Sequence, residues 1–170
     1  MAEFEPAFQK LMKNEGGFRL HTVKGDRGGM TYAGIARKSW QNWPGWVVID
    51  RGDMQNSTLT QLVREFYLEK FWEPVSGSEI RDQSVANTLF GFAVNAGIRT
   101  AVRIAQSIVG ALPDGALGPK TLAAINDADP NLFVSRYALG RISRYAAICN
   151  HNRSQDKFLL GWINRTLRTL

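Results

Sequence analysis

The chain has 170 residues, of which 44% are hydrophobic, so it contains enough apolar surface to bury one core in a single domain. Lysine and arginine outnumber aspartate and glutamate by 21 to 15, and the formal charge of +6 favours an acidic partner such as nucleic acid, anionic lipid or the bacterial cell wall. A single cysteine excludes an intramolecular disulfide, and with two histidines there is no cluster for structural zinc.

The N-terminal residues 1–6 are acidic and lack the basic start and apolar run of a secretory signal, so we expect synthesis in the cytoplasm without a signal peptide. No segment contains the roughly 18 consecutive apolar residues of a membrane span, so stable membrane insertion is not expected. Neither a metal nor a cofactor is expected, because no group of ligating residues stands out along the chain.

The first predicted element is an amphipathic helix that begins at Phe4. Its apolar residues recur at helical spacing and are Phe4, Phe8, Leu11 and Met12. One further step along this stripe reaches Glu15, so the sequence predicts a carboxylate on the face that turns inward. Gly16 and Gly17 are predicted to end the helix, because glycine adopts the left-handed cap conformation at little cost.

Residues 18–35 are rich in glycine, and this composition predicts a hairpin-like or looped segment after the first helix. A helix is predicted over residues 33–43 and is expected to close at Pro44-Gly45. A loop rich in tryptophan follows, and residues 47–49 are expected to be strand-like or irregular.

The rest of the chain predicts a series of helices without an internal repeat or linker. Thr58 is expected to cap a helix that runs to about Phe71, and Pro113-Asp114-Gly115 predicts a turn. Further helices are expected at about 83–96, at 99–111, from Pro119, from Pro130 towards Cys149, and at about 155–168. The chain is therefore predicted to be mainly α and to form one domain over residues 1–170.

Three polar residues after the first helical stripe suit hydrolysis of a glycosidic bond. That reaction needs one carboxyl group to protonate the leaving oxygen, and commonly a second to activate water or stabilise the transition state. Glu15 has the position of the acid, because burial at a helix end favours the protonated form of a carboxyl group. Asp26 lies in the glycine-rich loop, and the Thr31 hydroxyl is a candidate to hold the attacking water. The same spacing also fits a helix-end carboxylate, a turn former and a strand residue with no catalytic role.

Five runs of the sequence together resemble the glycoside hydrolase family 108 muramidases. The first two resemble the family signature, and the last three resemble motifs of its predicted peptidoglycan-binding region. These runs are Glu15–Phe18, Asp26–Ile35, Phe92–Gly97, Asp114–Thr121 and Gly161–Arg165. The resemblance implies a lysozyme-like helical fold with a small β-hairpin or looped segment after the first helix. It also implies a catalytic half at about 1–95 and a helical half at about 96–170 that resembles a peptidoglycan-binding region.

The resemblance implies cleavage of the β-1,4 bond between N-acetylmuramic acid and N-acetylglucosamine. Glu15 is the implied catalytic acid, because it occupies the glutamate of the family's Glu-Gly-Gly motif. The order Glu15, Asp26, Thr31 is also similar to that of phage lysozymes of the T4 type, but with a slightly longer loop. One departure is Gly91, where relatives are expected to carry an aspartate.

Four residues are candidates for binding the substrate. Asn95 is suited either to hydrogen-bond an N-acetyl group or to satisfy buried backbone. Trp43 and Trp46 are the best placed of the five tryptophans to stack on sugar rings, although large aromatic side chains more often lie in the core. Tyr32 belongs to the second signature run. The Asp114-Gly115 segment fits either a wall-binding loop or a turn between helices.

The expected partner is therefore the glycan strand of peptidoglycan, with the chain acting as a monomer in the periplasm or at the cell wall after holin-type or other release. Phage endolysins and secretion activators both fit this expectation. A lytic transglycosylase and a catalytically silent wall-binding or secretion-accessory protein remain alternatives. Nucleic-acid binding is not expected, because the basic residues form no continuous run and no reader motif is present.

Overall fold

The computed structural model describes residues 1–14, 16–22 and 29–170. Within these ranges the chain forms eight α-helices and one small antiparallel sheet, which confirms the predicted mainly α fold with a β segment after the first helix. The chain divides into two compact units. We call Phe4–Trp72 the N-terminal unit, and Met1–Glu3 together with Glu73–Leu170 the C-terminal unit. The proposed halves that meet near residue 95 stay a prediction.

The N-terminal unit contains three helices and three short strands. In chain order they are α1 (Phe4–Asn14), β1 (Leu20–Thr22), β2 (Met30–Tyr32), β3 (Ile35–Ala36), α2 (Gly45–Asp50) and α3 (Ser57–Tyr67). A π-helical turn, Leu68–Trp72, extends α3 to about the predicted end of that helix. The N-cap of α3 is Asn56 and not the predicted Thr58, because the Asn56 side chain accepts a hydrogen bond from the Thr58 backbone N–H at 2.9 Å.

Helix α1 has the predicted buried stripe and the predicted end. Phe4, Phe8, Leu11 and Met12 are all buried. After the helix, Gly16 and Gly17 have φ angles of 82° and 79°, a left-handed conformation that glycine adopts without a steric penalty. The Gly17 backbone N–H donates to the Met12 carbonyl at 2.9 Å, which satisfies one carbonyl of the last turn.

The predicted helix over 33–43 is wrong, because the chain turns back there to form a third strand. Ala33 and Gly34 both have positive φ angles, 47° and 82°, as a two-residue hairpin turn requires. Tyr32 and Ile35 therefore pair across the turn. The Tyr67 hydroxyl donates to the Ala33 carbonyl at 2.7 Å and ties this turn to α3. A contact from a distant helix thus stabilises a conformation that alanine rarely adopts.

Residues 44–49 also differ from the prediction. Pro44 precedes α2 with φ −63°, so this proline begins a helix and does not close one. The expected strand-like piece at 47–49 is part of α2. Trp46 and Ile49 are buried while Val47 is 54% exposed, which is the burial pattern of one helical face. Packing of that face outweighs the β preference of the branched side chains.

The C-terminal unit contains five helices joined by short turns. They are α4 (Gln83–Ala96), α5 (Ile98–Ile108), α6 (Pro119–Asp127), α7 (Pro130–His151) and α8 (Asp156–Leu167), with 3₁₀ turns at Glu73–Val75, Gly77–Glu79 and Arg153–Gln155. These bounds agree with the predicted helices to within a few residues. Gly97, with φ 86°, separates α4 from α5.

The core of the C-terminal unit lies among α4, α5 and α7. Leu89, Phe90 and Val102 are fully buried there. The Tyr137 hydroxyl donates to the Ala101 carbonyl at 2.9 Å, and burial raises the pKa of Tyr137 far above its ordinary value. Arg141 is 2% exposed; its guanidinium lies 4.9 Å from the Phe92 ring centroid.

Asp82 caps the N-terminus of α4. Its carboxylate accepts the backbone N–H groups of Ser84 at 2.9 Å and Val85 at 3.0 Å, and the Ser84 hydroxyl donates to it as well. Hydrogen bonding, with the Ser84 side chain contributing most, lowers the pKa of Asp82. The resulting stability is present above the ordinary aspartate pKa and is lost as pH falls through the lower folded value.

We expect Asp82→Ala to lower the free energy of unfolding by about 1 kcal/mol at neutral pH. Asp82→Asn is the matched control, because an amide oxygen still caps the helix but does not titrate near the carboxyl pKa. Urea denaturation of the three proteins at neutral and acidic pH measures both effects. A gap between Asp82→Asn and the parent that does not shrink in acid would contradict the assignment.

No helix in the described ranges combines the length and the apolar character needed to cross a lipid bilayer.

Candidate functional site

The predicted catalytic pair lies outside the described residues. Glu15 follows directly after Asn14, the last residue of α1, and Asp26 falls between the described ranges 16–22 and 29–170. The elements on either side are described. Helix α1 ends at Asn14, the Gly17 backbone N–H donates to the Met12 carbonyl, and β1 and β2 pair in antiparallel register.

Thr31 occupies the middle of the central strand, β2. It pairs with His21 on one side and with Ala36 on the other, so these three side chains share one face of the sheet. Thr31 is half-buried and His21 is exposed. The face therefore presents an imidazole and a hydroxyl side by side, and the catalytic role of Thr31 stays a prediction.

The three aromatic candidates are buried. Tyr32, Trp43 and Trp46 are 3%, 7% and 2% exposed. Tyr32 and Trp43 stack with their ring centroids 6.4 Å apart, and Trp43 meets Trp46 edge to face at 5.1 Å. The indole N–H groups donate to main-chain carbonyls, Trp43 to Leu62 at 3.3 Å and Trp46 to Trp40 at 2.7 Å. Most of their ring surface contacts other residues of the N-terminal unit. Stacking of these rings on a sugar stays a prediction.

An ion pair covers part of Trp46. The Arg37 guanidinium forms two hydrogen bonds with Asp50, at 2.6 and 2.7 Å, and lies 5.3 Å from the Trp46 ring centroid. The hydrogen bond from Arg37 lowers the pKa of Asp50. This pair closes one side of the tryptophan cluster.

A cavity of about 440 Å³ adjoins the same cluster. Trp40, Trp43 and Phe66 supply its aromatic wall, and Glu65 and Glu69 are among its polar lining residues. Trp40 is half-buried and meets Phe66 edge to face at 4.8 Å. Of the two predicted stacking residues, Trp43 is therefore the one that borders open space.

Asn95 links two of the motifs. Its side-chain amide donates to the Gly91 carbonyl at 2.7 Å, and its amide oxygen accepts a hydrogen bond from Arg165. The run Phe92–Gly97 thus meets the run Gly161–Arg165. This favours the structural role, while binding of an N-acetyl group stays a prediction.

The Asp114-Gly115 segment is organised by Gln106, which is 1% exposed on α5. The Gln106 amide donates to Asp114 at 2.8 Å and to the Ala116 carbonyl at 3.0 Å, and its oxygen accepts the Gly115 N–H at 2.9 Å. These contacts favour the turn over the wall-binding loop. Sequence analysis did not single out Gln106. This residue comes directly after Ala105, and both are buried on the apolar side of α5.

Arg141 is a second buried polar residue, and sequence analysis did not predict its burial. It lies on α7, and its guanidinium donates to the Thr169 hydroxyl at 3.1 Å. Arg141 lies four residues after Tyr137 and four before Tyr145, and both tyrosines are buried. This helical spacing is the feature of the sequence that indicates burial of Arg141.

Comparison with known proteins assigns the family. The sequence model of glycosyl hydrolase 108 matches residues 8–97, just over half of the chain. The chain belongs to glycosyl hydrolase family 108. A second model, described as a predicted peptidoglycan domain, matches residues 100–167. Together the two matches support a peptidoglycan hydrolase, and the family-108 match includes Glu15, Asp26 and Thr31.

A solved structure of SagA from Brucella abortus has a similar fold. The two chains are 24% identical and superpose with a TM-score of 0.73 over 98% of this chain and 90% of that chain. At this level of identity the similarity shows the fold alone. No curated protein matches the sequence.

Within the described ranges, no three histidine, cysteine, aspartate or glutamate side chains are grouped so that they could hold a metal ion.

Proposed function

We propose that this family-108 chain is an N-acetylmuramidase that hydrolyses the β-1,4 bond between N-acetylmuramic acid and N-acetylglucosamine. The observation that carries the proposal is the family match over residues 8–97, which includes the Glu15-Gly16-Gly17 motif. Glu15 is the proposed general acid that protonates the glycosidic oxygen. Asp26 and Thr31 are the proposed neighbours that stabilise the transition state or hold the attacking water.

The described part of α1 supports this role for Glu15. Leu11 and Met12 are 5% exposed, and the spacing of the sequence predicts that Glu15, four positions after Leu11, continues this apolar stripe. A carboxyl group in such a place is kept protonated more readily than one in water, which suits a general acid. The proposed place of action is the periplasm or the cell wall.

The products of digestion test the bond that is cleaved. Purified peptidoglycan is digested, reduced with borohydride and analysed by mass spectrometry. We expect muramitol at the new reducing ends, because hydrolysis leaves a free anomeric carbon on N-acetylmuramic acid. Undigested peptidoglycan treated in the same way is the control.

Three other outcomes would overturn the proposal. Reduced glucosaminitol ends would identify cleavage of the other β-1,4 bond. Anhydromuramic ends, one water lighter and resistant to borohydride, would identify a lytic transglycosylase. Binding without any product would identify a wall-binding protein that has lost catalysis.

A further inference from the structure

A groove of about 690 Å³ lies on the C-terminal unit between α5 and α7 and continues to the 3₁₀ turn before α8. Thr100, Ile104, Ile148 and Gln155 are among its lining residues. Its volume falls within the usual range for pockets that bind small molecules, about 300–1,000 Å³. Its lining residues all belong to the C-terminal unit, whereas the Glu15-Gly16-Gly17 motif falls in the N-terminal part of the sequence.

The polar lining of the groove carries positive charge. Arg103 from α5 and Arg144 from α7 line it, and so does His151. All three are exposed, and within the described part of the chain none of them takes part in a salt bridge. No described residue that lines the groove is acidic. The groove thus offers two permanent guanidinium charges that form no salt bridge with a described residue.

Asp114 interacts electrostatically with Arg103, but its hydrogen bonds are to other groups. Asp114 accepts hydrogen bonds from the Ala116 backbone N–H and from Gln106, both at 2.8 Å. These two bonds contribute most to the lowered pKa of Asp114, and Arg103 contributes least. Asp114 is thus hydrogen-bonded within its own turn and forms no salt bridge with Arg103, which leaves the Arg103 guanidinium able to pair with an anion in the groove.

The floor of the groove is apolar and closely packed. Ile104 and Ile148 are half-buried there. Gly140 on α7 lies so close to α5 that an added Cβ would stand 2.7 Å from a methyl carbon of Ile104. A side chain at position 140 would push α5 and α7 apart. Arg103 and Arg144 therefore project from two helices in close contact.

We propose that this groove binds the peptide stems of peptidoglycan through their free carboxylates. The stems are short peptides on the muramic acid residues, and they combine aliphatic side chains with carboxylates. This chemistry matches an apolar floor flanked by two arginines, since guanidinium groups bind carboxylates in a paired geometry. The lining residues all fall within residues 100–167, which match the predicted peptidoglycan domain. The inference rests on the proposed substrate and extends it from the glycan to the peptide.

The test is sedimentation with purified sacculi, performed in a Glu15→Gln background so that the sacculi stay intact. We expect Arg103→Gln combined with Arg144→Gln to weaken binding about tenfold, the sum of two partly exposed ion pairs. On sacculi whose carboxyl groups have been amidated, the background protein is expected to bind about tenfold more weakly and the double substitution to have little further effect.

Two control proteins make the result specific. Arg136→Gln combined with Arg168→Gln removes the same charge from exposed positions that do not line the groove, and it is expected to leave binding within about twofold. Arg103→Lys combined with Arg144→Lys keeps the charge and should retain part of the affinity. Thermal unfolding of each variant confirms that it is folded.

Several results would overturn the inference. One is an equal loss of sacculus binding in the Arg103/Arg144 and the Arg136/Arg168 glutamine pairs. Another is an Arg103/Arg144 effect that is just as large on amidated sacculi, and a third is no loss of binding in the Arg103/Arg144 pair. Tighter binding of duplex DNA or anionic lipid vesicles through Arg103 and Arg144 would assign the groove to another polyanion. Sedimentation measures binding and does not need turnover. The groove proposal is therefore tested by binding, and the muramidase proposal is tested separately by the products of digestion.

Discussion

Replacing Glu15 with glutamine is expected to reduce the rate of peptidoglycan cleavage about 100- to 10,000-fold, the usual contribution of a general acid. Glutamine has nearly the same shape as glutamic acid but has no proton to donate to the leaving oxygen. Release of soluble fragments from purified sacculi measures the rate. The melting temperature should stay close to that of the parent protein, because the substitution keeps the size of the side chain.

A matched control and a second substrate make this prediction specific. Glu3→Gln removes one exposed carboxylate from the same end of the chain and should leave the rate unchanged. An aryl glycoside with a good leaving group needs little protonation, so Glu15→Gln should lose much less activity on that substrate. A Glu15→Gln protein that cleaves sacculi at the parent rate would refute the assignment. An equal loss on both substrates would give Glu15 a role other than the acid.

The largest expected effect on stability is at Gly45, the first residue of α2. A Cβ at this position would collide with the six-membered ring of Trp43. The ring is fixed by stacking on Tyr32, by its edge contact with Trp46 and by the hydrogen bond to Leu62. We expect Gly45→Ala to lower the free energy of unfolding by about 1–3 kcal/mol, the usual cost of overpacking a core.

Gly91 provides the matched control of opposite sign. It lies within α4, and beyond the adjoining backbone of its own helix a Cβ added there would have no described atom within 4 Å. Gly91→Ala should therefore stabilise the protein by about 0.5–1 kcal/mol, because alanine favours the helix. Differential scanning calorimetry separates the two, with about 2–4 °C expected for each kcal/mol in a chain of this size. A melting temperature for Gly45→Ala equal to that of the parent would show that Trp43 moves freely.

The resemblance read from the sequence and the family match agree on the signature region. Glu15, Asp26 and Thr31 lie in one short segment, and that segment falls within residues 8–97, which match the family model. The described structure places Thr31 on the central strand beside His21, a neighbour that sequence analysis did not name. This neighbour depends on the register in which β1 pairs with β2, and strands of three residues are too short for a hydrophobic pattern to specify that register.

Sequence analysis located the helices best where their apolar stripe is long. Helices α4 to α8 and the end of α1 at the glycine pair follow from periodicity, capping residues and proline positions, all of which are local properties. The prediction failed at 33–49, where the segments are short. There the hairpin turn tied by Tyr67 and the packing of Trp46 decide the conformation.

The amino-acid sequence by itself therefore determined the helical class, the end of α1 beside Glu15 and the family to which the chain belongs. Only the tertiary structure showed that Trp43 and Trp46 are buried, that Gln106 holds the 114–116 turn, and that Arg103 and Arg144 line one groove. The reason is physical. Periodicity and capping act over a few neighbouring residues, whereas burial and the sharing of a groove depend on which distant helices pack together.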